Sequence, residues 1–292
     1  MVLGFHTCAP DREEAYMFSV SSGPVLVSQQ AETAIITLNR PEKRNAVNDE
    51  MLLTMIDALN AAIADDDVHS ILLSGRGDYF SAGRDIKTRR KDEVGSSPSE
   101  DESTNQPVSH KSGPFLRALS LLLDCQKPTV AVVQGFALGG GQALTLACDF
   151  LVAERGARFG CVEMAYGFPA GMNIALLTRH LGRRLALEIA MTGELYSAER
   201  YWEIGLVNRL AQPGELDTTV SSFVEVLNKL EPWAVQRTKN TLRMAIASGD
   251  TTAMYIGDEL NQNMFSSGRG SVHSGSSDVR RNIKDSLTPE TE

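Results

Sequence analysis

Short apolar runs closed by glycine recur along this chain with helical segments between them, and that alternation restricts the fold more than any other feature. Ile71-Leu72-Leu73 is followed by Gly75 and Gly77, Thr129–Gln134 runs into the glycine-rich stretch Gly135–Gly141, and Phe150–Ala153 repeats the type. Apolar residues without polar alternation read as buried strands. Between them, Asn48 or Asp49 can cap a helix whose stripe is Leu52, Met55, Ile56, Leu59, Ala62 and Ile63, ended by Asp65-Asp66-Asp67. Further helices are predicted near Pro114–Asp124 and over Gln142–Cys148. Strands alternating with helices at these intervals predict an α/β architecture.

Around this centre the chain changes character. Val25–Val27 and Ala34–Leu38 read as two strands around a turn, whereas residues 1–23 show no period and read as a loose leader. Residues 88–112 pass from Thr88-Arg89-Arg90-Lys91 into a Ser- and Glu-rich stretch short of core formers, which reads as a mobile surface insertion into a core spanning 24–215. From Met172 the pattern is almost wholly helical. Ser197 caps a short helix that Gly205 ends, and amphipathic stretches near 217–230, 232–247 and 252–265 form a C-terminal helical region covering 216–265. The Ser/Gly-rich start of segment 266–292 reads as a flexible tail.

Charge and cysteine usage exclude several function classes. Net charge is −9, from 28 Lys+Arg against 37 Asp+Glu, which disfavours nucleic acid or an anionic membrane as partner. No run approaches the ~18 apolar residues needed to cross a bilayer. Cys8, Cys125, Cys148 and Cys161 are too scattered for a disulfide or zinc framework. His6, His69, His110, His180 and His273 lack metal-ligand spacing, so no metal is expected. Reduced cytoplasm is the expected compartment.

Two segments carry chemistry. Phe80-Ser81-Ala82-Gly83-Arg84-Asp85-Ile86-Lys87 and Gly135-Phe136-Ala137-Leu138-Gly139-Gly140-Gly141 each follow a buried strand and open towards a helix. Glycines there allow close backbone approach to a ligand and leave unpaired N–H groups at a helix start. Two such amides converging on one oxygen would make an oxyanion hole, in which a single donor contributes about 3–4 kcal/mol to transition-state stabilisation. Neither segment is a G-x-G-x-x-G dinucleotide turn or a P-loop, and no G-x-S-x-G supports a serine hydrolase.

These two segments resemble the crotonase (enoyl-CoA hydratase/isomerase) superfamily. So do Ile36-Thr37-Leu38-Asn39-Arg40-Pro41 with Arg44-Asn45-Ala46, Cys148-Asp149, Phe159-Gly160-x-x-Glu163, Leu181-Gly182, Met191-Thr192-Gly193, and Ala198 with Gly205-Leu206-Val207. The resemblance runs in order from about residue 25 to 245. It implies a spiral of ββα units whose C-terminal helical region assembles trimers or dimers of trimers. It also implies an acyl-CoA substrate, with coenzyme A part of that substrate and no separate cofactor. Carried over by position, the backbone amides of Arg84 and Gly140 hold the thioester oxygen and Glu163 moves protons. Ala82, Gly83, Asp85, Ile86 and Lys87, with Gly139 and Gly141, line the substrate, Lys87 towards the nucleotide end. The side chains of Arg84 and Lys87 are each either a contact to CoA, Arg84 at a phosphate, or a solvated surface charge.

Hydratases of this family typically use two glutamates, and Ala143 stands where the first would be. One carboxylate suits a proton shuttle between α and γ carbons, so an enoyl-CoA isomerase is the favoured reading. A hydratase using one glutamate, another acyl-CoA hydrolase or lyase, and a non-catalytic scaffold or RNA-binding homologue are the alternatives. No Asp lies near Gly171–Asn173, which disfavours the dienoyl isomerases and dehalogenases of the superfamily. Tyr166 and Asn173 could supply polar contacts, with core or loop roles the favoured reading. Arg280, Arg281 or Lys284 could replace the family's usual basic C-terminal run over CoA.

Overall fold

The computed structural model describes residues 22–85 and 113–248, with helical positions 254, 255 and 258. The expected leader up to residue 21, the insertion at 88–112, Ile86, Lys87, most of the third C-terminal stretch and the tail with Arg280, Arg281 and Lys284 lie outside the described residues.

An antiparallel hairpin opens the fold, β1 (Val25–Gln30) against β2 (Thr33–Leu38), turning at Ala31 with a positive φ of 48°. The crossover helix α1 (Asp49–Ala64) starts as its sequence predicts, the Asn48 side chain accepting from Met51 N–H at 2.9 Å. Its buried face is Met51, Leu52, Met55, Ile56, Ala58, Leu59 and Ala62. Burial of each larger member contributes about 1.5–3 kcal/mol. The strand β3 (Ser70–Gly75) follows, all six residues buried, parallel to β2. The helix α2 (Pro114–Asp124) has proline in its first turn, where the missing N–H costs nothing.

From here a unit repeats: a strand in one sheet, a short strand in a second sheet, then a helix. β4 (Thr129–Val133) is followed by β5 (Phe136–Leu138) and α3 (Gly140–Ala147). β6 (Phe150–Glu154) is followed by β7 (Arg158–Gly160), a 3-10 turn over Val162–Tyr166, and α4 (Gly171–His180). The switch between sheets at Gly135 needs φ +61°, and a Cβ there would lie 2.0 Å from the Asp78 carbonyl oxygen. Helix α5 (Arg183–Thr192), the two-residue strand β8 (Tyr196–Ser197), α6 (Ala198–Glu203) and β9 (Arg209–Ala211) complete the spiral. The six-stranded sheet runs β1-β2-β3-β4-β6-β9 and the three-stranded one β5-β7-β8. The ββα spiral predicted from the resemblance is therefore the observed fold.

Two corrections arise. The stretch Gly135–Gly141 is not all turn, because Phe136–Leu138 pairs with β7. Nor is the chain wholly helical after Met172, since β8 and β9 each add to a sheet edge. Ser197 does cap α6, accepting from Arg200 N–H at 3.2 Å, and Gly205 with φ +83° follows it.

The described residues fall into two compact units divided between Phe223 and Val224. The first ends within α7 (Leu216–Asn228); the second contains the rest of α7 and α8 (Pro232–Ser248). No helix of the described residues is long and apolar enough to cross a membrane.

One buried polar side chain organises the loop before α1. Asn45 is 0% exposed, accepts from Arg40 N–H at 2.9 Å, and donates to the carbonyls of Arg76 at 3.0 Å and Tyr79 at 2.7 Å. Its φ of 53° is left-handed, which Asn tolerates better than most residues. Asn45→Ala strips three backbone groups of their partner and is expected to cost about 3 kcal/mol or more, since each unpaired buried group costs ~1–3. The urea midpoint at unchanged m-value measures this; a loss below about 1 kcal/mol would contradict the assignment.

Candidate active site

The two glycine segments lie side by side, joined by parallel backbone hydrogen bonds. Phe80 N–H donates to Gln134 O at 3.1 Å, Ser81 N–H to Phe136 O at 3.1 Å, and Leu138 N–H to Ser81 O at 3.0 Å. Gly141 is pressed against Ser81, where an added Cβ would meet the Ser81 carbonyl oxygen at 2.7 Å. The Ser81 hydroxyl donates to Asn45 O at 2.8 Å and accepts from Gly83 N–H at 3.1 Å. Each turn thus fixes the path of the other.

Beyond this ladder both chains leave an amide open. Val47 N–H donates to Gly83 O at 2.8 Å, and Asp85 N–H donates to Val47 O at 2.9 Å. In such a parallel bridge the intervening residue, Arg84, turns its own N–H away from Val47. Gly140 begins α3, so its N–H has no intrahelical acceptor. Among the described residues neither amide donates to a protein acceptor. The two are close together: a Cβ on Gly140 would lie 3.2 Å from the Arg84 nitrogen, and one on Gly83 would lie 3.1 Å from the Gly140 nitrogen.

Glu163 borders the same place. A Cβ on Gly139, whose φ is +50°, would lie 3.6 Å from the Glu163 carboxyl carbon and Oε1. The 3-10 turn carries Glu163 after β7, and Gly139 N–H donates to Gly160 O at 2.8 Å, tying the two segments together. Oε1 accepts from Asn173 Nδ2 at 2.7 Å, whereas Oε2 is buried with no hydrogen-bond partner among the described residues. A buried carboxylate oxygen left unpaired calls for a functional explanation.

The side chains of the other predicted residues point elsewhere. The Arg84 guanidinium turns back onto the protein, its Nη2 2.9 Å from Asp49 Oδ1 and its centre 5.3 Å from the Phe115 ring centroid. Asp85 pairs with both terminal nitrogens of Arg40 at 3.2 Å, so its carboxylate braces the loop. Ala82 is half-buried and its N–H is held by Arg44 O at 2.9 Å.

Asn173 is the residue that sequence reading underrated. It is 0% exposed and donates to Gly139 O at 2.9 Å as well as to Glu163. A core or loop role does not describe a residue that touches both the glycine turn and the carboxylate. Cys161, also buried, has its thiol pushed up to about 12 by burial first and then by the nearby Glu163 charge. It is therefore a neutral thiol rather than a nucleophile. His180 is structural, its Nε2 2.9 Å from Leu146 O. Among the described residues no cluster of His, Cys, Asp or Glu could hold a metal ion.

Known proteins share this arrangement of elements. A solved enoyl-CoA hydratase from Polaromonas sp. JS666 is 29% identical with a TM-score of 0.74, covering 85% of this chain and 94% of its own. Another, from Mycobacterium tuberculosis H37Rv, is 33% identical with a TM-score of 0.69, covering 80% and 86%. Among curated relatives, a short-chain-enoyl-CoA hydratase of Clostridium acetobutylicum is 30% identical over 83% of this chain and 89% of that protein. A 2,3-dehydroadipyl-CoA hydratase of Escherichia coli is 30% identical over 76% and 82%. The model of the enoyl-CoA hydratase/isomerase family matches residues 28–275. That span takes in both glycine turns, Glu163 and the spiral from within β1 onward, and the chain belongs to the enoyl-CoA hydratase/isomerase family.

Proposed function

We propose that this protein shifts the double bond of an enoyl-CoA thioester, using Glu163 as its single acid/base. The thioester oxygen accepts from the N–H groups of Arg84 and Gly140. Glu163 takes the α-proton of a 3-enoyl-CoA, and the electron pair of the broken C–H bond moves through the carbonyl to the oxygen. The same carboxyl then returns its proton to the γ carbon, the electrons flow back, and a 2-enoyl-CoA leaves. The observation that carries this reading is a carboxylate with a buried, unpartnered Oε2 that borders Gly139, next to the turn where two amides lie open. Developing negative charge needs preorganised donors, and the main chain supplies them at no cost in reorganisation.

Preference for isomerisation over hydration rests on position 143. A second carboxylate would help hold the attacking water, and the buried Ala143 cannot do so. Hydration by one glutamate is the second reading, favoured by the hydratase names of the curated relatives. The exposed apolar side chains of Met164, Tyr166 and Phe168, which follow Glu163 in the chain, suit contact with an acyl group under either reading.

Parallel assays on a 3-enoyl-CoA and a 2-enoyl-CoA separate the two. Isomerisation creates the absorbance of the conjugated enone, and hydration destroys it. We expect the faster reaction to be the rise on the 3-enoyl substrate. A fall on the 2-enoyl substrate alone would favour hydration, and no change on either across a panel of acyl lengths would reject the activity.

A further inference from the structure

Behind Glu163 lies a chain of buried polar groups that the proposed chemistry does not itself require. Tyr201 O–H donates to Gln142 Oε1 at 3.0 Å. Gln142 Nε2 donates to Cys161 Sγ at 3.0 Å and, at the longer distance of 3.4 Å, to Asn173 Oδ1. Asn173 Nδ2 donates to Gly139 O and to Glu163 Oε1. Gln142, Asn173 and Tyr201 are all 0% exposed.

The direction of this chain is determined by its members. A backbone carbonyl can only accept, so the amide nitrogen of Asn173 must face Gly139, which turns its oxygen to Gln142. The Tyr201 phenol, its pKa raised well above the usual value by burial, keeps its proton and serves as a donor. Each link of the path Tyr201–Gln142–Asn173–Glu163 therefore donates towards the carboxylate, while the second N–H groups of Gln142 and Asn173 go to Cys161 and Gly139. A network whose buried members all have partners has one low-energy arrangement and resists reorientation.

We infer that Asn173, backed by Gln142, is a positioning residue that gives the two oxygens of Glu163 separate duties: Oε1 is a fixed acceptor, and Oε2 takes and returns the substrate proton. This rests on the reading of Glu163 as the acid/base. A carboxylate held at Oε1 by Asn173 resists rotation about its last torsion, so the buried Oε2 keeps its place in the site. Reaction rates are sensitive to such placement, a displacement of about 1 Å being worth roughly a hundredfold. The alternative is that Asn173 merely ties α4 to the glycine turn.

A double-mutant cycle separates the two roles. Asn173→Ala is expected to lower kcat on the best enoyl-CoA by about tenfold to a hundredfold while KM stays within about threefold. In a Glu163→Gln background the same change is expected to do almost nothing further, because the base it positions is already absent. An equal loss in both backgrounds, or no loss in either, overturns the inference. Asn173→Ser keeps a donor and removes less volume, and the same cycle on it decides the matter if the alanine variant does not fold. Should the wild type turn over no acyl-CoA at all, the functional reading fails. A crystal structure of Asn173→Ser then decides the positioning alone: a rotated Glu163 carboxylate supports it, an unmoved one overturns it.

Discussion

Glu163→Gln is expected to lower kcat by about 10²–10⁴, the range contributed by a positioned acid–base group, with little change in KM. The substitution is close to a pure change of chemistry. Asn173 Nδ2 is a donor 2.7 Å from Oε1, so the glutamine must present its carbonyl oxygen there. Its amide nitrogen then occupies the place of Oε2, where it can neither accept the α-proton nor return one. Size and the main hydrogen bond are kept, so the fold should survive, and an unchanged unfolding midpoint verifies this. Activity within about tenfold of wild type would reject Glu163 as the base.

Gly83→Ala is the second large effect, and it tests the amides rather than the carboxylate. Gly83 has φ +94°, and a Cβ there would stand 2.7 Å from Leu138 O and 3.1 Å from Gly140 N. The methyl group would wedge the two turns apart and draw one amide away from the thioester oxygen. Loss of one such donor elsewhere costs about 10²–10³ in kcat. Backbone strain alone would also destabilise the variant, so Gly156→Ala serves as the control. Gly156 has a similar φ of +92°, but a Cβ there meets nothing within 4 Å. We expect both variants to lose stability and only Gly83→Ala to lose kcat steeply. Equal kcat in the two would show that the approach of the turns is not what drives the reaction.

What could be read from the sequence was whatever is local or periodic. The Asn48 cap, the α1 stripe, Pro114 at the start of α2 and the apolar run Ile71-Leu72-Leu73 of β3 each follow from a few neighbouring residues. β5, β8 and β9 escaped because two or three residues cannot display a period, and they exist only because another strand lies beside them. The glycine turns and Glu163 were legible as motifs. Their convergence was not, because it depends on the ladder between Phe80–Ser81 and Gln134–Leu138, far apart in the chain. Asn173 escaped for the same reason, since it lies 10 residues from Glu163 and 34 from Gly139, and only the fold joins them. The turned-back Arg84 side chain likewise depends on Asp49 and Phe115 from two separate helices.

The parallel bridge at Val47 has one more consequence. Every amino acid except proline carries the same peptide N–H, so the group offered by position 84 is indifferent to what the codon there specifies. On the proposed mechanism, natural drift or deliberate redesign can recast the side chain now packed against Asp49 and Phe115 while the N–H assigned to the thioester oxygen is inherited intact. Under that assignment the atom that serves the reaction and the atoms free to vary belong to the same residue but answer to different parts of it.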